Sequence, residues 1–342
     1  MLRIATAHYH VAHIVPAIVA KEMTYFEEEG LEDYDIVTGG LVPGLAEKIA
    51  LRRAMKEKGV DVVADPKPVT IFSHRNRGED LFIVGCWRNH QNFRFFAKKG
   101  LNSLRDLKGK RIGTRDYGGI SNVVMRLHLK RSGLDPDRDV EWVRGSRYHI
   151  ARMTTAEALR EGDVDCVPVP LKAAEQLLAE GYPCLLDTRK LYPHGVPVRL
   201  IATTRRVLDE KLDALEAYLR ATIRAYWFIM DSEKSRDYIN ALNRRLRKQS
   251  PDEEEQKMGV LEGASSGSVL PLDGAPSMEG LKIMLEEARE MYEVPDGTRV
   301  EDAVELGAVK RAYEALCRRE ELAPSLKRAQ EIYQRVNKPP TG

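Results

Sequence analysis

Apolar residues recur along this chain in two alternating rhythms. Leu2 to Ala7 is a short apolar run of strand length, and Ile14 to Phe26 repeats its apolar positions at helical spacing. Leu31 to Val37 and Val60 to Ala64 read as further strands, with a helix over Leu45 to Lys58 between them. That helix carries Lys and Arg in its last turns, as helix C-termini favour. Gly30, after Glu27-Glu28-Glu29, is the expected stop of the first helix, because glycine enters the left-handed region without a Cβ penalty. Leu81 to Cys86 is apolar on both faces, which predicts a strand of a covered parallel sheet. Strands alternating with helices predict βαβ units and an α/β fold.

After Phe93-Arg-Phe-Phe-Ala97 the rhythm restarts. Leu104 to Gly113 reads as a helical turn and a strand, and Thr114 to Val123 as a glycine-containing loop feeding a helix to about Ser132. Asp139 to Val143, Val164 to Val169 and Cys184 to Leu186 are strands, separated by helices over Ala151 to Glu161 and Leu171 to Glu180. Val198 to Thr203 is an apolar, β-branched return, and the remainder is largely helical. Asn243 to Lys257 is dense in charge and Gly263 to Pro276 is rich in Gly, Ser and Pro, so both read as exposed connections. The second has the alternative of folding over a cleft. No repeat at a solenoid period is present.

The totals narrow the class. A chain of 342 residues with 43% hydrophobic and 31% charged positions suits one large domain or two lobes of a globular protein. Lys+Arg 54 against Asp+Glu 52 leaves a net charge of +2, so no nucleic-acid partner is expected. No run approaches the ~18–20 apolar residues of a spanning helix, so no membrane insertion is expected. The start lacks the basic, apolar and small-residue succession of a secretory leader. With Met1 as the native start, the expectation is a cytoplasmic protein; a trimmed chain would be periplasmic. The cysteines at 86, 166, 184 and 317 form no close pair, and Cys86 and Cys166 sit in apolar runs as buried free thiols.

Three groups carry candidate chemistry. His8, His10 and His13 lie in the loop that leaves the first strand, where open α/β sheets bind ligands. Together they are candidate ligands for a divalent metal (Zn, Fe or Mn), since imidazole suits these ions. The alternative is that they hydrogen-bond a polar ligand or cap the helix. The second group, Arg115, Tyr117, Gly118, Gly119 and Ser121, precedes a helix whose N-terminus favours an anion, with Arg115 as a carboxylate partner. The alternative is an ordinary turn with Ser121 as N-cap. No Gly-Lys-Ser/Thr follows, so no nucleotide cofactor is expected. The third group, Arg144, Arg147, Tyr148 and His149, suits an acidic aromatic molecule, or is a solvated loop. Asn89, His90 and Arg94, Asp65 and Lys67, and His194 each follow or precede a strand as weaker candidates. His74 and His128 are expected on the surface or on a helix face, and Trp87, Trp142 and Trp227 in the core.

Ala20 to Leu31, Leu104-Arg-Asp-Leu-Lys-Gly-Lys-Arg-Ile-Gly113, Leu127 to Leu134 and Ala156 to Asp165 together resemble type II periplasmic solute-binding proteins. The resemblance covers roughly residues 2–230 and is nearest to the taurine-, alkanesulfonate- and pyrimidine-precursor-binding branch. It implies two α/β lobes, 1–93 plus 199–342 and 94–198, with an interlobe cleft that closes on a ligand and a helical C-terminal part. Leaderless relatives of that fold include hydroxylated-phthalate decarboxylases and a thiamine-pyrimidine synthase. The synthase carries a Lys and a His after its third strand and a cysteine cluster. This chain has Lys67 but no His until His74 and no such cluster, which disfavours the synthase.

The expectation is therefore a protein that closes on a small, carboxylated and aromatic anion and acts on it as a decarboxylase or other lyase. His8, His10 and His13 would polarise a substrate hydroxyl or carbonyl, alone or through a metal. Arg115 and Arg147 would hold carboxylates, and His149 or His90 would protonate carbon. The alternative is a non-catalytic receptor of an ABC-type importer, for a sulfonate-, taurine- or pyrimidine-like ligand, or a cytosolic sensor. Self-association into a homo-oligomer is left open.

Overall fold

The computed structural model describes residues 1–5, 11–37, 59–89, 93–114, 119–144, 155–248, 270–292 and 294–337. The chain forms two compact units, Met1–His90 with Val196–Lys338, and Gln91–Gly195. With strands numbered in chain order, the first unit holds β1 (Leu2–Ala5), β2 (Tyr34–Val37), β3 (Val62–Val63) and β4 (Phe82–Arg88). The second holds β5 (Phe93–Ala97), β6 (Arg111–Thr114), β7 (Glu141–Arg144), β8 (Cys166–Pro170) and β9 (Cys184–Asp187). The chain then returns to the first unit as β10 (Arg199–Thr203).

The sheet orders are β2-β1-β3-β10-β4 and β7-β6-β8-β5-β9. In each, the first strand of the βαβ series lies between two parallel neighbours, β1 between β2 and β3 and β6 between β7 and β8. The fourth position is antiparallel on both sides, and in each unit it is filled by the strand that enters from the other, β10 or β5. Both units thus have one topology, an α/β arrangement with mixed sheets.

Helix Leu212–Met230 is the centre of the first unit's core. Twelve of its nineteen residues are buried, among them Leu215, Tyr218, Leu219, Ile223, Tyr226 and Trp227. A helix apolar on most of its circumference must be covered all round. Helix Val11–Glu22, helix Gly307–Cys317 and helix Ala323–Asn337 supply that cover, and Tyr218 stacks on Phe26 at 5.8 Å. The second unit is smaller, with Phe93, Phe95, Ile112, Met125 and Leu129 on one face of its sheet and Phe96, Leu159, Val164 and Leu177 on the other.

Several expectations are corrected. Leu81 to Cys86 is not an interior parallel strand: β4 is at the sheet edge and pairs antiparallel with β10. It is apolar on both faces because C-terminal segments seal its free edge. The Cys86 N–H donates to Gly274 O at 2.7 Å, and the Glu305 N–H to Ile83 O at 2.8 Å. Residues 270–276 therefore form part of the packed body, with Leu270, Gly274 and Pro276 buried. The charged stretch from Asn243 continues as helix through Lys248, the end of Ser232–Lys248. Pro68–Asn76 is a further helix that the apolar periodicity did not indicate, since every residue from Pro68 to His74 is buried and no polar face interrupts them. His74 on that helix is interior, with Nδ1 at 2.8 Å from a Glu79 carboxylate oxygen. The helix expected over Leu45 to Lys58 lies outside the described residues. No described helix is long and apolar enough to cross a membrane.

Candidate functional site

Strands β1, β3 and β4 end at one edge of the first sheet, and antiparallel β10 begins there. Beyond Ala5, residues 6–10 with His8 and His10 lie outside the described residues, while His13 is in the first turn of helix Val11–Glu22. Ala5 is in register with Val63, so the segment after β3 starts beside the end of β1. In it, Asp65 is fully buried and Lys67 occupies the N-cap of helix Pro68–Asn76. Asn89, just past β4, is buried and its Oδ1 accepts the Ser277 N–H at 2.8 Å, which fixes the start of helix Met278–Tyr292. His90 lies outside the described residues.

Two arginines at this edge were not singled out from the sequence. Arg199, the first residue of β10, is 8% exposed and donates from Nη1 to Asp65 O at 3.3 Å. Arg88, the last residue of β4, is its register partner. The signal available in the sequence was a lone arginine inside the apolar run Val198 to Ala202, where a cation needs a reason to be buried.

In the second unit, β6 and β7 run parallel with Thr114 opposite Arg144. The segments carrying Arg115, Tyr117 and Gly118, and Arg147, Tyr148 and His149, therefore leave neighbouring strand ends. The residues of those segments, 115–118 and 145–154, lie outside the described ones. Gly119 is the N-cap of helix Ile120–Arg131, with no side-chain cap bond. Ser121 is inside the helix and not its N-cap, since the Val123 N–H already donates to Gly119 O at 2.9 Å. That helix has no acidic residue in its first turn and three basic ones in its last, so its N-terminal dipole end is free of a compensating carboxylate of its own. Arg94 is committed to Asp187 through Nε at 2.7 Å. His194 is exposed in the turn closed by the Gly195 N–H on Tyr192 O. His128 lies on a helix face with Nε2 at 2.8 Å from Tyr192 Oη, and burial followed by the nearby Arg131 charge lowers its pKa.

Among the described residues no group of three His, Cys, Asp or Glu is arranged to hold a metal ion. Cys86 and Cys166 are buried free thiols, and burial raises their pKa far above the range of a reactive thiolate. The other two cysteines are free and exposed.

A family model described as NMT1/THI5 like matches residues 11–235, more than half of the chain. The chain belongs to the NMT1/THI5-like family. Two curated relatives of this NMT1/THI5-like protein are 4,5-dihydroxyphthalate decarboxylases. That of Comamonas testosteroni is 33% identical over 93 residues, covering 27% of this chain and 28% of the relative. That of Pseudomonas putida is 42% identical over 55 residues, covering 16% and 21%. The chain thus spans about a quarter of the length of the curated relatives it matches. Among solved structures, the periplasmic aliphatic sulphonate binding protein SsuA from Escherichia coli superposes with a TM-score of 0.58 at 17% identity, over 92% of this chain and 98% of that one. The fold is that of the periplasmic binding proteins, as the sequence resemblance implied.

Proposed function

We propose that this NMT1/THI5-like protein binds a small carboxylated aromatic molecule and acts on it as a carboxy-lyase. The observation that carries the reading is the register of Thr114 with Arg144, which starts two segments rich in Arg, Tyr and His at adjacent strand ends. Guanidinium groups bind carboxylates bidentately, and phenol and imidazole groups serve ring hydroxyls and proton transfer. In the reaction the bond between ring carbon and carboxylate breaks and CO₂ leaves. The electron pair stays on the ring carbon, which takes up a proton. Arg115 and Arg147 hold the carboxylates, and His149 or His90 delivers the proton. His8, His10 and His13 face a ring hydroxyl as free imidazoles or as holders of a divalent metal, which metal analysis of the purified protein distinguishes.

The names of the two curated relatives support 4,5-dihydroxyphthalate as the first substrate to try. The full chain incubated with it is expected to release CO₂ and yield 3,4-dihydroxybenzoate, read by chromatography. Turnover should fall by about 100-fold in His149→Ala and in His10→Ala. Unchanged turnover in both variants would remove these residues from the mechanism.

A second reading is a non-catalytic solute-binding protein. It is favoured by coverage, since the SsuA structure matches 92% of the chain and the decarboxylases match short segments. Calorimetric binding of phthalate or an alkanesulfonate, with the ligand recovered intact, would select it.

A further inference from the structure

The first unit buries a cation, Arg199, that forms no ion pair among the described residues. Arg199 is 8% exposed, its Nε is enclosed without a hydrogen-bond partner, and among the described residues its side chain's one bond is from Nη1 to the Asp65 carbonyl at 3.3 Å. No carboxylate among the described residues forms an ion pair with it. Burying it is costly unless an anion is supplied.

Three other buried charges are matched by ion pairs. Arg126 is held by both oxygens of Asp137 at 2.7 and 2.8 Å. Asp61 takes Arg206 at 2.6 Å and Lys211 at 2.8 Å. Glu29 takes Arg220, Arg224 and Arg319. Arg199 departs from this pattern.

A second guanidinium and a pinned backbone lie beside it. Arg88 is its direct cross-strand partner, and directly opposed residues of antiparallel strands share a face, where like charges repel. The backbone on either side is pinned: the Val198 N–H donates to Arg88 O at 2.8 Å, the Leu200 N–H to Pro66 O at 3.0 Å, and the Cys86 thiol to Arg199 O at 3.2 Å. Both arginines lie at the carboxyl edge of the parallel strands, the edge at which open α/β sheets receive ligands.

We infer that Arg199, with Arg88 beside it, is an oxyanion subsite that takes a carboxylate of the bound molecule. The choice of a carboxylate rests on the proposed function; the anion subsite itself rests on the first unit alone.

The test uses the full chain with inorganic sulfate and with phthalate as probes. Sulfate, compared with chloride at equal ionic strength, is expected to raise the wild-type Tm by about 3 °C more than chloride does. Most of that increment should be lost in Arg199→Gln and in Arg199→Lys, the latter keeping the charge but not the planar fork. Arg160→Gln, which removes an exposed pair with Glu180, should keep it. Phthalate should bind about tenfold or more weakly to either Arg199 variant. If Arg199→Gln does not fold, Arg199→Lys carries both measurements. A full sulfate increment in the Arg199 variants, or none beyond chloride in the wild type, overturns the subsite. Phthalate binding that neither variant weakens by more than about twofold overturns it also, and leaves the proposed function standing. A sulfate increment that depends on Arg199, with no phthalate binding, supports the subsite and counts against the carboxylated ligand.

Discussion

Asp165 directly precedes β8, and its role follows from its donors. Lys98 Nζ lies at 2.6 Å, the Arg111 N–H at 2.8 Å and Arg111 Nε at 3.3 Å. Burial raises its pKa, but the bonds from Lys98 and Arg111 outweigh that and hold it at about 2. A carboxyl whose folded pKa lies below its unfolded value stabilises the fold at pH above about 4, and the contribution is lost as pH falls through about 2. Asp165→Asn is therefore expected to cost about 2 kcal/mol at pH 6 and progressively less towards pH 2. Urea unfolding at the two pH values checks this. At this scale the sequence was legible where a residue's neighbours are close along the chain. Cys86 and Cys166 are buried as their apolar runs implied. His74 and Arg199 were not legible, because helix Pro68–Asn76 is covered by helix Met278–Tyr292 and β10 lies between β3 and β4, all far away in sequence.

Among elements, two joints decide whether the C-terminal helices stay on the first sheet. Glu29, at the end of the first helical segment, takes Arg220 and Arg224 from helix Leu212–Met230 and Arg319 from beyond helix Gly307–Cys317. Removing one side of a buried charge cluster leaves the other unpaired. Glu29→Gln should cost about 3–5 kcal/mol, measured by denaturant unfolding. Gly274 is the second joint. It has φ +76, and a Cβ there would meet Val309 Cγ2 at 2.9 Å and Ile223 Cγ1 at 3.0 Å. Gly274→Ala combines left-handed strain with overpacking and should cost about 2–4 kcal/mol; a change under about 0.5 would show that the edge of β4 is not sealed as described. The Gly, Ser and Pro content of this segment pointed to a loop, and the packing of Leu270 and Gly274 was hidden because tight turns and tight joints draw on the same residues. Pro68–Asn76 was hidden for a different reason: a helix covered on every side has no polar stripe to mark its period.

For the whole molecule, the α/β class was legible because strand and helix lengths alternate locally. The direction of β10 and β5 was not, since it depends on the chain crossing twice between units. Both units share one strand topology, and the segments that follow their parallel strands in sequence hold His, Arg and Tyr, the residue types the proposed carboxylated aromatic would need. The most direct test of the central claim is a mass balance of 4,5-dihydroxyphthalate incubated with the full-length protein. The account predicts one CO₂ and one 3,4-dihydroxybenzoate for each substrate consumed. Substrate recovered quantitatively, with no heat of binding, would contradict it.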